Sequence, residues 1–366
     1  MKAYDVCVIG GGINGVAIAE RCGAVGLRTV IFEKSILGAG ASTKTSKLAH
    51  GGLRYLEQFQ FGLVKEALQE REALLQMYPD VTQALPFVFP VYKGMFEPKV
   101  WLGLKLYDFL AGSKSVLPKS KRISTELVSD KLSWLDMTNV KSGYMYWDAV
   151  MNDYEILQRA ANSAQRCMVD IFEHEPVEHY DKKGTHYEVT TSKRVISARL
   201  IVNVTGAWAN AFHEKQIVRP SKGVHIVTDS VYTSHASILR APQDNRVFFT
   251  IPQHGSTIIG TTDTYYDGDL DDVKATSDDI KYLLLAFNSF SNIKLGLNDI
   301  LYTYAGLRPL ACKSNSMFAS SMSRDVRLIE DDNVLTLVGG KYTTHRSVAR
   351  KTLKLILKRL RKDYLI

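Results

Sequence analysis

The first fifteen residues constrain this chain most. Tyr4-Asp5-Val6-Cys7-Val8-Ile9 is a short apolar run leading directly into Gly10-Gly11-Gly12-Ile13-Asn14-Gly15. The pattern predicts a buried parallel strand, a glycine turn and a helix from Ile13 to Cys22. Its glycines meet three backbone requirements. Gly10 allows the tight turn, Gly12 allows close approach to a pyrophosphate, and Gly15 lets the helix pack on the strand. The helix start at Ile13 and Asn14 offers unpaired N–H groups and a positive dipole end to phosphates. A second strand, Arg28-Thr29-Val30-Ile31-Phe32, ends at Glu33, 21 residues past Gly12. A carboxylate there accepts hydrogen bonds from a ribose diol and repels a 2′-phosphate. The expected ligand is an adenine dinucleotide.

At 366 residues the chain is long enough for a sizeable core and two domains. With 45% hydrophobic and 23% charged residues it reads as an ordinary globular enzyme. No stretch is long and apolar enough to span a bilayer, and the N-terminus is already the first strand, so no signal peptide is expected. Cys7, Cys22, Cys167 and Cys312 are scattered, with no C-x-x-C pair. That spacing predicts no disulfide, zinc site or iron–sulfur cluster, and a reducing, cytoplasmic location.

The net charge of +8 suits nucleic acid, an anionic membrane surface or an anionic substrate, and does not choose among them. Its distribution says more. From Lys93 to Arg122, Phe96, Trp101, Leu102, Leu104, Leu106, Tyr107, Phe109 and Leu110 alternate with Lys99, Lys105, Lys114, Lys119 and Lys121. This segment reads equally as a basic amphipathic element on lipid and as a core-facing helix with a charged outer face. Arg346–Lys362 mixes leucines and an isoleucine with eight Lys or Arg residues, and there the core-facing reading is preferred.

Helical periodicity predicts helices at 61–77 and 153–165. Strands are predicted at 87–92, 187–191, 200–204, 223–229, 246–251, 257–261 and 334–338. The strand from Leu200 ends in the turn Thr205-Gly206-Ala207-Trp208, and is expected beside the first strand, closing the nucleotide site. Pro220 to Gly260 reads as antiparallel hairpins. The fold class expected is α/β, with a Rossmann-like domain and an interleaved, mainly antiparallel β substrate domain.

Ser42-Thr43-Lys44-Thr45-Ser46-Lys47-Leu48-Ala49-His50-Gly51-Gly52-Leu53-Arg54-Tyr55-Leu56-Glu57 narrows the function further. With Ser221-Lys222-Gly223-Val224-His225-Ile226-Val227, Ile258-Ile259-Gly260-Thr261-Thr262-Asp263, Tyr302–Leu310 and Val338–Arg346, it resembles the FAD-dependent, aerobic-type glycerol-3-phosphate dehydrogenases. The resemblance runs from residue 4 to about residue 350. It implies non-covalent FAD in the fold shared with D-amino-acid oxidases. The FAD-binding domain is then expected at 1–85, 145–220 and 300–366, and the substrate domain at 86–144 and 221–299. The family's C-terminal helical domain is expected to be absent, because the sequence stops at Ile366. The resemblance also places the cofactor against Gly10, Gly12, Ile13, Asn14, Gly15, Glu33 and Lys34. Ser42, Thr43, Ser46, Lys47, Leu48, Gly51 and Gly52 follow, then Val177, Thr205, Gly206 and Trp208. Gly306, Gly340, Lys341, Thr343 and Thr344 complete the set.

The residue types make chemical sense for these roles. Small residues and many backbone donors around Ser42–Gly52 suit a flavin diphosphate and ring edge. Gly339-Gly340-Lys341 entering a helix near Thr343-Thr344 lets backbone approach the ring and sets a positive helix end there. A phosphate monoester requires fixed cations, for which Arg54, Arg308, Arg324 and Lys341 are candidates. The resemblance adds Tyr55 and Thr343 or Thr344 as substrate contacts. The reaction it implies is oxidation of sn-glycerol 3-phosphate to dihydroxyacetone phosphate. A hydride passes from C2 to flavin N5, and electrons pass on to quinone or oxygen. A base near neutral pKa is needed. His225 is the candidate and His50 its rival, with Arg308 stabilising the developing alkoxide. Two other readings compete: a same-fold enzyme acting on another small acid or amino acid, and a catalytically silent flavin-binding protein.

Overall fold

The computed structural model describes residues 1–113, 115–312 and 326–362. Two large sheets organise them. In the first sheet, β1 (Lys2–Ile9) lies parallel between β2 (Thr29–Phe32) and the Val195–Asn203 strand. Asp170–Phe172 extends it beyond β2, and Val334–Val338 beyond Val195–Asn203, both in parallel. Arg327–Asp331 adds antiparallel to Val334–Val338 at one edge, and the hairpin of Val177–Lys183 and His186–Thr191 joins Val195–Asn203 antiparallel. Parallel strands buried on both faces read as continuous apolar runs, which is why Val6–Ile9 and Val30–Phe32 carry no polar alternation.

Helix α1 (Ile13–Ala24), the Asp153–Arg166 helix and the His345–Lys362 helix share one core with this sheet. In the last of these, Val348, Ala349, Ile356 and Leu360 face that core. Gly15 is forced by the packing: a Cβ there would lie 2.0 Å from the Gly10 carbonyl oxygen. Gly10 has φ +109°, open to glycine and strained for other residues. Cys7 and Cys22 are buried in this half, their thiols pushed up by desolvation.

The second sheet is mainly antiparallel. Thr82–Tyr92 pairs along its whole length with Val140–Met151, and Val218–Thr228 is flanked by Ser256–Gly260 and Tyr302–Ala311. Strands of this sheet therefore depart from the expected segment boundaries: Leu48–Ala49 and Tyr302–Ala311 lie wholly, and Thr82–Tyr92, Val140–Met151 and Val218–Thr228 partly, in segments expected to form the FAD-binding domain. Apolar periodicity reports which face of a strand is buried, whereas sheet membership depends on partners far away in sequence.

Helix α2 (Phe61–Met77) coincides with the predicted helix, and α3 (Glu97–Ala111) occupies the basic, aromatic segment. Helix α3 packs on α2 and on the Leu53–Gln58 turn, burying Leu104 and Tyr107. Among the described residues no helix is long and apolar enough to cross a membrane.

Candidate active site

A cavity of about 640 Å³ is lined from both sheets. At its nucleotide end stand Gly10, Gly12, Ile13, Asn14, Glu33, Lys34, Ser42, Val177, Thr205, Gly206 and Trp208. The Ile13 N–H donates to Ser42 Oγ at 3.0 Å, tying the helix start to the Ser42 loop. Glu33 closes the glycine turn, its carboxylate accepting from the Gly11 N–H at 2.7 Å and the Ser35 N–H at 2.9 Å. Opposite, the Lys34 ammonium lies 4.1 Å over the Trp208 ring and pairs with Asp271, which also accepts from Trp208 Nε1 at 3.0 Å. Asp271 thus links a loop of the second sheet to the nucleotide end.

The cradle suits a dinucleotide. Asn14 Oδ1 is buried with no protein partner among the described residues. A buried amide oxygen is costly to leave unpaired, so a donor-bearing ligand alongside it satisfies the structure. A Cβ on Gly340 would sit 3.5 Å from the Asn14 amide nitrogen, so backbone from the C-terminal part of the chain forms the opposite wall.

At the other end lie His50, Arg54, Tyr55, His225, Gly306, Arg308, Gly340, Lys341 and Thr343, with Ser46, Leu48 and Gly52 beside them. Arg54 Nη2 donates to the Tyr55 hydroxyl at 3.2 Å, and the Lys341 ammonium lies 4.0 Å over the Tyr55 ring. Arg308 donates to the Thr262 carbonyl at 3.1 Å, Asp263 Oδ1 at 3.3 Å and Thr261 Oγ1 at 2.9 Å. Three of the four cations expected to hold phosphate therefore line one cavity. Arg324 lies outside the described residues.

His225 is 2% exposed, shares a hydrogen bond of 2.8 Å with Ser46 and stacks on Tyr304 at 4.6 Å between ring centroids. Burial pushes its pKa down to about 3, with Arg308 and Lys47 adding repulsion. The imidazole is neutral near pH 7 and has little appetite for a proton, which runs against the expected role of a base near neutral pKa. His50 is half-buried on the cavity wall, 6.4 Å from the Phe249 ring.

Five expected cofactor residues fall outside the cavity lining: Gly15, Thr43, Lys47, Gly51 and Thr344. Gly15 packs helix on strand. Thr43 donates to the Gly38 carbonyl at 3.0 Å, and Thr344 closes the turn back to Lys341. The Lys47 ammonium is turned to buried Asp153 at 2.6 Å. Gly51 gives its N–H to Tyr107 and Asp148. Conversely, Phe87, Tyr146, Asp148, Phe249 and Asp263 line the cavity without having been anticipated. Asp263 ends one of the recognisable strings, and that was its signal. The others come from distant strands and carry no local pattern.

The model of the family described as FAD dependent oxidoreductase matches residues 5–343. The chain belongs to this family. It is an FAD-dependent oxidoreductase with the D-amino-acid-oxidase type of fold. The flavoprotein is 33% identical to a glycerol-3-phosphate dehydrogenase of Synechocystis over 99% of its own length and 71% of that relative's. A D-erythritol 1-phosphate dehydrogenase of Brucella abortus is 34% identical, with 96% and 73% covered. Among solved structures, a Bacillus halodurans glycerol-3-phosphate dehydrogenase complexed with FAD superposes with a TM-score of 0.76 at 25% identity. That match covers 98% of the flavoprotein and 65% of the other chain.

Proposed function

We propose that this flavoprotein oxidises sn-glycerol 3-phosphate to dihydroxyacetone phosphate and passes the electrons to quinone. One observation carries the reading: Arg54, Arg308 and Lys341 reach the same cavity as the dinucleotide cradle. Three cations match a phosphate dianion, with its two charges and several acceptor oxygens, better than a small carboxylate. The names of the curated relatives point to the same substrate class.

FAD, when bound, supplies two-electron chemistry by accepting hydride from C2 at N5. The protein's own residues orient the substrate and manage the proton. Arg54 and Lys341, gathered on the Tyr55 ring, hold the phosphate together with Arg308. His50, half-buried on the cavity wall, takes the C2 hydroxyl proton. Neutral His225 acts as a fixed polar wall through Ser46. Arg308 stabilises negative charge growing on the C2 oxygen.

The experiment is an anaerobic flavin spectrum before and after adding sn-glycerol 3-phosphate. Bleaching of the oxidised band is the expected result. A band that stays, or one that bleaches only with a longer polyol phosphate, rejects this substrate.

A quinone acceptor places the enzyme at a membrane. Around α3, Phe96 is 73%, Leu102 62% and Phe109 78% exposed, with Trp101 half out and Phe59 exposed on the adjoining turn. Exposed Lys93, Lys99, Lys119 and Lys121 accompany them. This face is proposed to rest on the anionic cytoplasmic membrane surface. The protein is expected to sediment with anionic liposomes at low salt; equal recovery in the supernatant with anionic and neutral liposomes removes the idea.

A further inference from the structure

Behind the Gly51–Gly52 loop lies a buried polar group that the chemistry above does not use. Arg71 of α2 is 2% exposed. Its Nη1 donates to Asp148 Oδ1 at 2.8 Å and to the Trp147 carbonyl at 3.0 Å, and its Nη2 donates to Glu72 at 2.7 Å. The Tyr107 hydroxyl of α3 donates to the Asp148 carboxylate, 2.7 and 2.9 Å from its two oxygens. All of this converges on one backbone group. The Gly51 N–H reaches the Tyr107 hydroxyl oxygen at 2.9 Å and Asp148 Oδ1 at 3.2 Å.

The space is as restrictive as the bonding. A Cβ on Gly51 would sit 2.5 Å from Leu68 and 2.6 Å from the Tyr107 hydroxyl. Gly52, next along, has φ +82° and faces the Tyr55 ring. The loop is therefore clamped from three elements that meet only in the folded protein.

A buried ion pair contributes little net stability compared with an apolar replacement, because both charges must be desolvated. Stability alone gives no reason for an Arg–Asp–Tyr group here, whereas its position does. His50 precedes the clamped amide, and Gly52, Arg54 and Tyr55 follow it, all on the cavity wall.

The geometry points to Tyr107 and Asp148 as positioning residues: they anchor the Gly51 amide, and through it hold His50, Arg54 and Tyr55 in place against cofactor and substrate. Burial raises the Asp148 carboxyl, and Arg71 opposes that shift by favouring the charged, accepting form. The substrate part of this inference rests on the function proposed above, while the cofactor part does not. Tyr107 also belongs to α3, so a shift of that helix displaces the clamp directly.

The test begins with Tyr107→Phe, which removes one hydroxyl from the intact chain. With the clamp halved, kcat on sn-glycerol 3-phosphate is expected to fall about 10-fold or more, since small displacements of catalytic groups are costly. The melting temperature stays near that of the parent, and KM changes less than kcat. FAD is expected to bind the apoprotein about 3-fold more weakly, the scale of one lost hydrogen bond. A charge-balanced pair of variants supplies the rescue. Arg71→Met with Asp148→Asn removes both charges yet keeps an oxygen to accept from Gly51 and Tyr107, and Glu72 retains Ser115 and the Val116 N–H. That double variant is expected to keep kcat and FAD affinity near parental values, whereas Arg71→Met with Asp148→Ala is expected to behave like Tyr107→Phe. Parental kcat, KM and FAD affinity in Tyr107→Phe overturn the inference, as do Asn and Ala double variants that behave alike. If the parent itself does not turn over this substrate, the proposed function fails, and FAD affinity alone decides the clamp.

Discussion

Gly223→Ala is expected to give a folded, FAD-binding protein whose kcat/KM for sn-glycerol 3-phosphate is lower by about 100-fold. Gly223 lies in the Val218–Thr228 strand opposite Gly306, and its neighbour two residues along, Ser221, pairs with Arg308. The Arg308 guanidinium lies directly over it. A Cβ on residue 223 would fall 2.4 Å from Nη2, 2.6 Å from Cζ and 2.6 Å from Nη1. The obstructed group is the far end of a flexible side chain, so it moves and the strand does not. Its hydrogen bonds to Thr261 Oγ1 and the Thr262 carbonyl are lost in the process. Stability changes little, since strand interiors accept alanine at least as well as glycine. Steady-state kinetics combined with the flavin absorbance ratio check this. A parental kcat/KM would remove Arg308 from substrate contact.

The second large effect is on stability at low pH. The unfolded chain takes a proton on His225 below its ordinary value of 6.5, whereas the native protein does not until about 3. Native stability from this residue is therefore full above about pH 6.5 and is lost progressively as the pH falls towards 3. At 1.36 kcal/mol per unit, the loss reaches roughly 3 kcal/mol by pH 4.5 and roughly 5 kcal/mol at the lower end. Those amounts rival the whole stability of many domains. His345, also buried and lowered to about 4, acts in the same direction. Urea denaturation of the holoenzyme at pH 7 and pH 4.5 measures the difference. A His225→Asn variant is expected to lose less between the two values; an equal loss would show that His225 is not the residue responsible.

The glycine turn between the first strand and α1 was legible because its demands are local. A strand entering a tight turn and then a helix requires glycine at Gly10, Gly12 and Gly15, and those requirements act over a handful of residues. The helix from Phe61 to Met77 was legible for the same reason, its apolar period being contained within itself. The cations of the reacting end were visible as residue types within strings, and Arg54, Arg308 and Lys341 do meet on one cavity.

Other features depended on partners far apart in the sequence. Lys47 and His225 look equally available in the sequence, yet Lys47 turns to Asp153 and His225 is sealed under Tyr304. Whether a residue is desolvated depends on what packs over it, and that also determines how far its pKa moves. Tyr302–Ala311 joins the second sheet because its backbone pairs with Val218–Thr228, a choice invisible to periodicity. Asp148, Tyr107 and Arg71 come from three separate elements and share no motif. By itself, then, the sequence determined the cradle and the kinds of group offered to a ligand, because backbone conformation and residue chemistry are local properties. Only the tertiary structure decided which groups face the cavity, which are neutralised by burial and which hold the others in place, because those are properties of long-range packing.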